Sequence, residues 1–432
     1  MDIVLKRFVE GMSIPNIVQY LEREWGMKVG RDVPYQDIAR ATNKRWLQYT
    51  PSRTVAIGQR LIDLRKELLD VYVPDVGERM PTVNSAANLC ASAVFNIAKA
   101  KAIGIALGNA QKNIPHWSFP VKVHRAGSDQ PVRCDFKDVD VGEAEDGSVE
   151  PDPMRLTIRI GFSGGNTMAL ASRDLAGVIA ARIEDWEKDL KTRVIQELHE
   201  SHHDIDIPTG IIKRRFQVLI EFVFVNLNSG FDRDPRTNPI AFLSGLRQDP
   251  ILADRTRVEI FNAMPFVEVG KCRETIREIA PLREVREDFD KHGFDIILTS
   301  GGSFDDPHST YRRYYRDPRV QQLLASEKVL GDFMWLPVTK HKPFRFDQLR
   351  EKVKGDAELQ RLLKYQPMTL LDLDDVADHV AKKRDVFCVL APCGVCGLEK
   401  SGIANALLNQ ERGLVTHLIL DRATADATVQ AL

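Results

Sequence analysis

The sequence predicts an α/β protein: a helix-turn-helix segment followed by a doubly wound, mostly parallel sheet with β and loop insertions. Three observations predict it. From Val71 onward, apolar runs of strand length alternate with longer runs at helical spacing. Several strand runs are nearly continuous in apolar residues, as strands buried on both faces must be. Residues 1–70 show only helical spacing. The expected division is a helical domain, 1–70, and an α/β domain, 71–432.

Composition bounds the classes. The chain has 432 residues, 43% hydrophobic and 28% charged, with a net charge of −1. That leaves no overall field drawing the molecule onto nucleic acid or membrane. The six cysteines are too scattered for a disulfide framework. No apolar run is read as approaching the ~20 residues that span a bilayer, and "MDIVLKRFVEGM" lacks a signal-peptide core. A reduced, cytoplasmic protein without a membrane partner is expected.

At the N-terminus, Ile14, Ile17, Val18, Leu21 and Trp25 recur at helical spacing, with Ser13 placed to cap. Two glycines in "GMKVGR" interrupt the helix. "DVPYQDIARATNKRWL" restarts it, with Asp32 as cap and Pro34 in the first turn. The second helix and its approach carry Arg31, Tyr35, Gln36, Arg40, Lys44 and Arg45. From Arg40 to Lys66 there are seven Lys/Arg against one acid, Asp63, an asymmetry that the neutral total hides. A helix-turn-helix contacting duplex DNA through these six side chains is expected, against plain helical packing as the alternative.

In the second domain, the strand candidates are "DVYVPD", "RLTIRIGFS", "VLIEFVFVNLN", "FDIILTS", "VFCVLA" and "VTHLILD". Helix-like runs separate them, including "SAANLCASAVFNIAKAKAIG", "LASRDLAGVIAARIEDWEKDL" and "LEKSGIANALLNQ". The acidic, turn-rich stretch "RAGSDQPVRCDFKDVDVGEAEDGSVEPDP" reads as a β-hairpin or loop insertion.

Three glycine-bearing segments follow three of the strands. In "GFSGGNT", backbone N–H groups together with Ser163, Gly164, Gly165, Asn166 and Thr167 meet the start of a helix. That combination suits a phosphate, although the segment is neither a Walker loop nor GxGxxG. A tight strand–helix turn is the alternative. The second segment is Gly301, Gly302 and Ser303, read as a corner; the third is "PCGVCGLEKSG", in which Lys400 could supply a cation. In a parallel sheet such segments can line one pocket.

Two motifs suggest metal and are set aside. Cys393 and Cys396 form a CxxC, but no second CxxC completes a zinc site. They are read as small residues of a loop. His199, Glu200 and His203 satisfy HExxH, yet the motif ends a charged run with no apolar flank to bury an ion. No metal and no cofactor are expected.

The order of the pieces resembles the SorC/DeoR-like sugar-binding transcriptional regulators, whose effector domain is related in fold to ribose-phosphate isomerase and glucosamine-phosphate deaminase. The resemblance rests on "IRIGFSGGNTM", "VFVNLNSGFD", "FNAMPFVEV", "FDIILTSGGSFDDPHST", "GDFMWLPV" and the closing "CGVCGLEKSGIANALLNQERGLVTHLILDRATADATVQAL". At the N-terminus, "FVEGMSIPNIVQYLEREWGMKVGRDVPYQDIARATNKRWL" resembles the family's helix-turn-helix, with extra residues in the turn. Leu420 stands where the family has Thr before Asp421, and residues 106–152 and 180–215 look like insertions. The resemblance implies a regulator, a homodimer or homotetramer, that binds DNA and senses a phosphorylated sugar. It implies ligand contacts from Ser163 to Thr167, Gly301 to Ser303, Asp332 and Lys400. The alternatives are a sugar-phosphate isomerase or deaminase using Asp332 with Asp305 or Asp306, and a zinc hydrolase through "HESHH".

Overall fold

The computed structural model describes residues 18, 21–23, 52–63, 67–73, 79–112, 120–123, 132–135, 149–151, 154–201, 217–228, 238–246, 250–341 and 344–431. The chain forms two compact units, Met1–Val55 and Ala56–Leu432. In the first, Val18 and Leu21 to Arg23 are helical and Leu21 is buried. Arg31, Tyr35, Gln36, Arg40, Lys44 and Arg45 lie outside the described residues.

The second unit holds the sheet. Its first strands in chain order are β1 (Asp70–Tyr72), β2 (Pro120–Val123), β3 (Val132–Asp135), β4 (Val149–Pro151), β5 (Met154–Phe162), β6 (Val218–Asn226) and β7 (Thr256–Glu259). There follow β8 (Phe266–Glu268), β9 (Ile296–Ser303), β10 (Val329–Phe333), β11 (Leu336–Thr339), β12 (Tyr365–Pro367), β13 (Asp385–Leu390) and β14 (His417–Leu420). The helices that bear on the site are α1 (Arg79–Lys112), α2 (Asn166–Ser201), α3 (Ser401–Leu408) and α4 (Arg422–Ala431).

Seven strands pair in parallel in the order β1-β14-β13-β9-β5-β6-β7. All six expected strands are among them. β7 escaped the sequence reading because it is four residues long and alternates Arg257 and Glu259 with its apolar side. From β5 the chain winds outward through β6 and β7; from β9 it winds the other way through β13 and β14. The order therefore reverses between β5 and β9, and that is where a doubly wound sheet opens a crevice at its carboxyl edge.

Alternation along the central strands feeds a core on each face. In β13, Phe387 and Val389 enter one core and Val386, Cys388 and Leu390 the other. The first core is roofed by α1 and α2, where Phe95 meets Trp186 edge-on at 5.2 Å between ring centres. Residues Val83–Ala106 of α1 are, by length and composition, apolar enough to cross a membrane. This corrects the expectation that no such run exists. Ala87, Cys90, Val94, Ala98 and Ala102 of that run, at helical spacing, are fully buried in the core. Small residues on that face let the helix approach the sheet closely.

The acidic insertion supplies β3 and β4, which pair with β2 just before it in a three-stranded antiparallel sheet, β3-β2-β4. β10 and β11 form a hairpin whose turn residues, Met334 and Trp335, both have positive φ, 55° and 65°. This is the twist that a two-residue hairpin turn demands. α2 ends at Ser201, so His199 and Glu200 fall in its last turn and His203 lies outside the described residues.

Candidate functional site

The three glycine segments converge on one cavity of about 440 Å³ at the carboxyl edge of the sheet, where the strand order reverses. Its lining includes Gly164, Gly165, Asn166, Thr167, Gly301, Gly302, Asp332 and Lys400. Ser163 and Ser303, expected beside them, are not in the lining. Both are buried supports. The Ser163 N–H donates to the Leu298 carbonyl at 2.9 Å, and its hydroxyl pairs with that of Thr299 at 3.0 Å, joining the end of β5 to the middle of β9. The Ser303 hydroxyl accepts from the Asp305 N–H at 3.4 Å.

The first segment is a true corner. Gly165 has φ +121°, a conformation that side chains rarely adopt, and its carbonyl accepts from the Ala169 N–H at 3.0 Å, closing the first turn of α2. The Gly164 N–H is held by the Asn228 side-chain oxygen at 2.8 Å. The amides of the first helical turn beyond it have no partner within the helix, and the dipole of a 36-residue helix adds its positive end there. Asn166 and Thr167, at that helix start, line the cavity.

Sequence reading missed the asparagines that set this corner. Asn226 and Asn228 are fully buried at the end of β6. The Asn226 amide donates to the carbonyls of Asn228 at 3.0 Å and Phe261 at 2.9 Å and accepts from the Phe261 N–H at 2.7 Å. Two asparagines ending an apolar strand, "VFVNLN", were the available signal: buried amides must find partners, and these fix loops.

The second segment is not a corner. Gly301, Gly302 and Ser303 are the last residues of β9, which runs past the parallel sheet to pair antiparallel with β10. The glycines serve close approach rather than a turn. A Cβ on Gly302 would lie 2.3 Å from an Asp332 carboxylate oxygen, so only glycine leaves room for that group.

The third segment leads into α3. Lys400 is buried, and its ammonium donates to the Gly301 carbonyl at 2.7 Å. Its backbone N–H donates to the Thr424 hydroxyl at 3.1 Å, and Thr424 is bonded in turn to the Asp421 carboxylate, which accepts its N–H at 3.1 Å. The closing "DRATA" thus braces the lysine. Leu420, the departure from the family pattern, is fully buried in the core.

Burial pushes the Asp332 carboxyl up to about 7, against the pull of Lys400 and of the Trp335 N–H. Burial likewise lowers Lys400, with Asp332 opposing. Folded Asp332 therefore holds its proton up to about pH 7, whereas an unfolded aspartate releases it near pH ~4. Between those limits the folded state binds more protons, so this group's contribution to stability falls as pH rises and levels off above the folded value. An Asp332→Asn variant should gain on the parent across that window. Denaturation midpoints at several pH values check it, and parallel profiles for the two proteins would contradict the buried-acid reading.

Asp306, His308 and Arg313, which follow β9, also line the cavity, as does Trp335 at the hairpin turn. Asp305, a candidate for an acid/base pair, is exposed and outside the lining. A second cavity, of about 260 Å³, is lined by Arg273, Arg286, Asp372 and Asp375. There the charges neutralise one another: Arg286 meets Asp375 through two bonds of 2.8 and 3.0 Å, and Arg273 meets Asp372. The cavity at the strand reversal is the one that combines a helix start, glycine approach and a buried lysine.

No protein-family model matches the chain, and no curated protein matches it. Solved structures that it is similar to include transcriptional regulators of the SorC and DeoR kinds. The full-length sorbitol operon regulator SorC from Klebsiella pneumoniae is 11% identical with a TM-score of 0.47, over 99% of this chain and 97% of that one. A DeoR family transcriptional regulator from Listeria monocytogenes is 13% identical with a TM-score of 0.45, over 87% of this chain and 100% of that one.

Proposed function

We propose that the cavity is the effector pocket of a DNA-binding transcriptional regulator and takes a small phosphorylated sugar or related metabolite. The observation that carries this reading is the meeting of the α2 N-terminus, Thr167 and buried Lys400 in one cavity. Donors and positive potential there favour an anion, and charge-assisted hydrogen bonds are the stronger kind. A cavity of about 440 Å³ has the volume for a sugar phosphate. The phosphate occupies the Gly164–Thr167 corner, and the polar groups of β9 and β10 read the sugar.

The DNA limb rests on the basic helical pattern of residues 1–70. Binding of the metabolite shifts a homodimer or homotetramer between DNA-competent and DNA-released arrangements, which requires that the ligand prefer one of them. Replacing Arg40, Lys44 and Arg45 together with alanine should weaken binding to the chain's own upstream DNA. It should also flatten the salt dependence, by a slope of about 0.9 for each phosphate left without its cation. A gel shift or anisotropy titration at several salt concentrations reads both effects. Unchanged binding in the triple variant would refute the DNA assignment. Turnover of a sugar phosphate by the purified chain would instead favour the isomerase or deaminase reading.

A further inference from the structure

The CxxC set aside in the sequence has a partner that the sequence could not reveal. The ligand atoms of Asp306, Cys393 and Cys396 all lie within 4.8 Å of one another, and Asp306 and Cys393 are buried. Asp306 stands 90 residues before Cys396 and reaches it at 3.6 Å between carboxylate and sulfur. It arrives on the turn after β9, and its backbone geometry is fixed: its N–H donates to the Ser303 carbonyl at 3.3 Å and its carboxylate accepts the His308 N–H at 2.8 Å.

The cysteine loop has the form of a metal knuckle. The backbone N–H groups of Val395 and Cys396 both donate to the Cys393 sulfur. The Cys393 carbonyl accepts from the Gly397 N–H at 2.8 Å, and the Cys393 N–H donates to the Leu398 carbonyl at 3.0 Å. Gly397, directly after the second cysteine, has φ +71°, the left-handed turn that carries the chain back under the sulfurs. Burial holds the Cys393 thiol up in the absence of an ion, and the two amide donors would support the sulfur once an ion takes its proton. Without an ion the Cys396 thiol donates to the Asp306 carboxylate, so the three ligand atoms are already gathered around one point. A tetrahedral zinc with bonds of about 2.0–2.3 Å spaces its ligand atoms by roughly 3.3–3.8 Å; the Asp306–Cys396 separation of 3.6 Å falls in that range, and no pair exceeds 4.8 Å.

We propose that Cys393, Cys396 and Asp306 bind a zinc-class divalent ion in the wall of the cavity, tying the end of β9 to the loop before α3. Thiolate ligands select zinc over magnesium or calcium. On binding, two zinc–sulfur bonds form, two thiol protons pass to solvent, and the carboxylate supplies the third bond. Asp306 and Cys393 both line the cavity, so the ion borders the pocket. The site stands whether or not the pocket takes a phosphorylated ligand.

Cobalt(II) titration of the full chain, reduced, stripped with chelator and desalted, tests this. A thiolate-to-cobalt charge-transfer band should saturate at one ion per chain, vanish on adding one equivalent of zinc, and accompany a rise in the thermal midpoint of several degrees. Cys393→Ser and Cys396→Ser should each abolish the band. Asp306→Asn should weaken cobalt binding by roughly 100-fold, no less than the loss of an outer-shell partner costs, while Cys272→Ser should leave it unchanged. Because a serine variant can fail to fold, alkylation of the parent chain supplies a second readout: zinc should protect Cys393 and Cys396 and leave Cys272 reactive. Absence of the band from the parent chain would overturn the proposal. So would a band that survives Cys396→Ser but is lost in His199→Ala, which would assign the ion to the other motif.

Discussion

Replacing Gly164 with aspartate is expected to abolish stabilisation of the protein by a phosphorylated ligand while leaving the fold intact. Gly164 has no positive φ, unlike its neighbour Gly165 at +121°, so a side chain there meets no backbone strain. Its N–H is anchored on Asn228 at 2.8 Å, which fixes where that side chain begins: in the lining of the cavity, just before the first turn of α2. A carboxylate at that point occupies the place proposed for the phosphate and presents like charge to it. For a ligand at ~100 times its dissociation constant the stabilisation removed is ~2.7 kcal/mol. Thr167→Val, which keeps shape and removes one hydroxyl, should weaken the response. Thermal shift over a panel of sugar phosphates and their unphosphorylated sugars measures both. An equal response to the two forms, or an undiminished response in Gly164→Asp, would refute the phosphate corner without touching the DNA assignment.

Gly331→Ala should be the most destabilising of the small substitutions. A Cβ there would sit 2.1 Å from the Gly302 carbonyl oxygen and 3.3 Å from the Ile403 Cβ. The first obstacle is backbone, held in the antiparallel pairing of β9 with β10, so it cannot swing aside as a side chain would. Overpacking typically costs ~1–3 kcal/mol; with an unyielding neighbour the expectation is about 3 kcal/mol or more. The same strand pair positions Asp332 and the carbonyl that Lys400 holds, so ligand response should fall with stability. Gly355→Ala makes the comparison, since nothing lies within 4 Å of its added Cβ. It should stay within ~0.5 kcal/mol of the parent. Urea midpoints with unchanged slopes measure the pair. A Gly331→Ala midpoint matching that of Gly355→Ala would mean that β9 and β10 separate more easily than their register implies.

The segments that line the cavity could be picked out before the fold was known, for a local reason. A glycine-rich segment after an apolar strand and before a helix suits an anion or a tight turn, and "IRIGFSGGNTM" carries all three features in eleven consecutive residues. The strands were equally plain: most are nearly continuous in apolar residues, as burial on both faces requires, and β5 alternates Arg155, Thr157 and Arg159 with Leu156, Ile158 and Ile160. Gly301 and Gly302 were misread as a turn because glycine serves turns and close approach alike. Only the position of Asp332, arriving from the next strand, distinguishes the two. The apolar run in α1 was passed over because lysines at 99 and 101 fall within it. Lys101 pairs with Asp385 at 2.7 Å at the start of β13.

The sequence by itself determined the α/β class, the parallel strands of the sheet apart from its β7 edge, and the three segments that line the cavity. Each follows from forces acting over a few residues: the period of apolar side chains, the freedom of glycine and the start signals of helices. Only the tertiary structure decided which distant groups meet. Strand order set β9 beside β13, which brought Lys400 to the Gly301 carbonyl and Asp306 to the two cysteines, and set β6 beside β5, which brought Asn228 to the Gly164 amide. The physical reason is that a hydrogen bond, a buried charge and a ligand set depend on separation in space, and a single chain fixes that separation only when its apolar strands have chosen their neighbours.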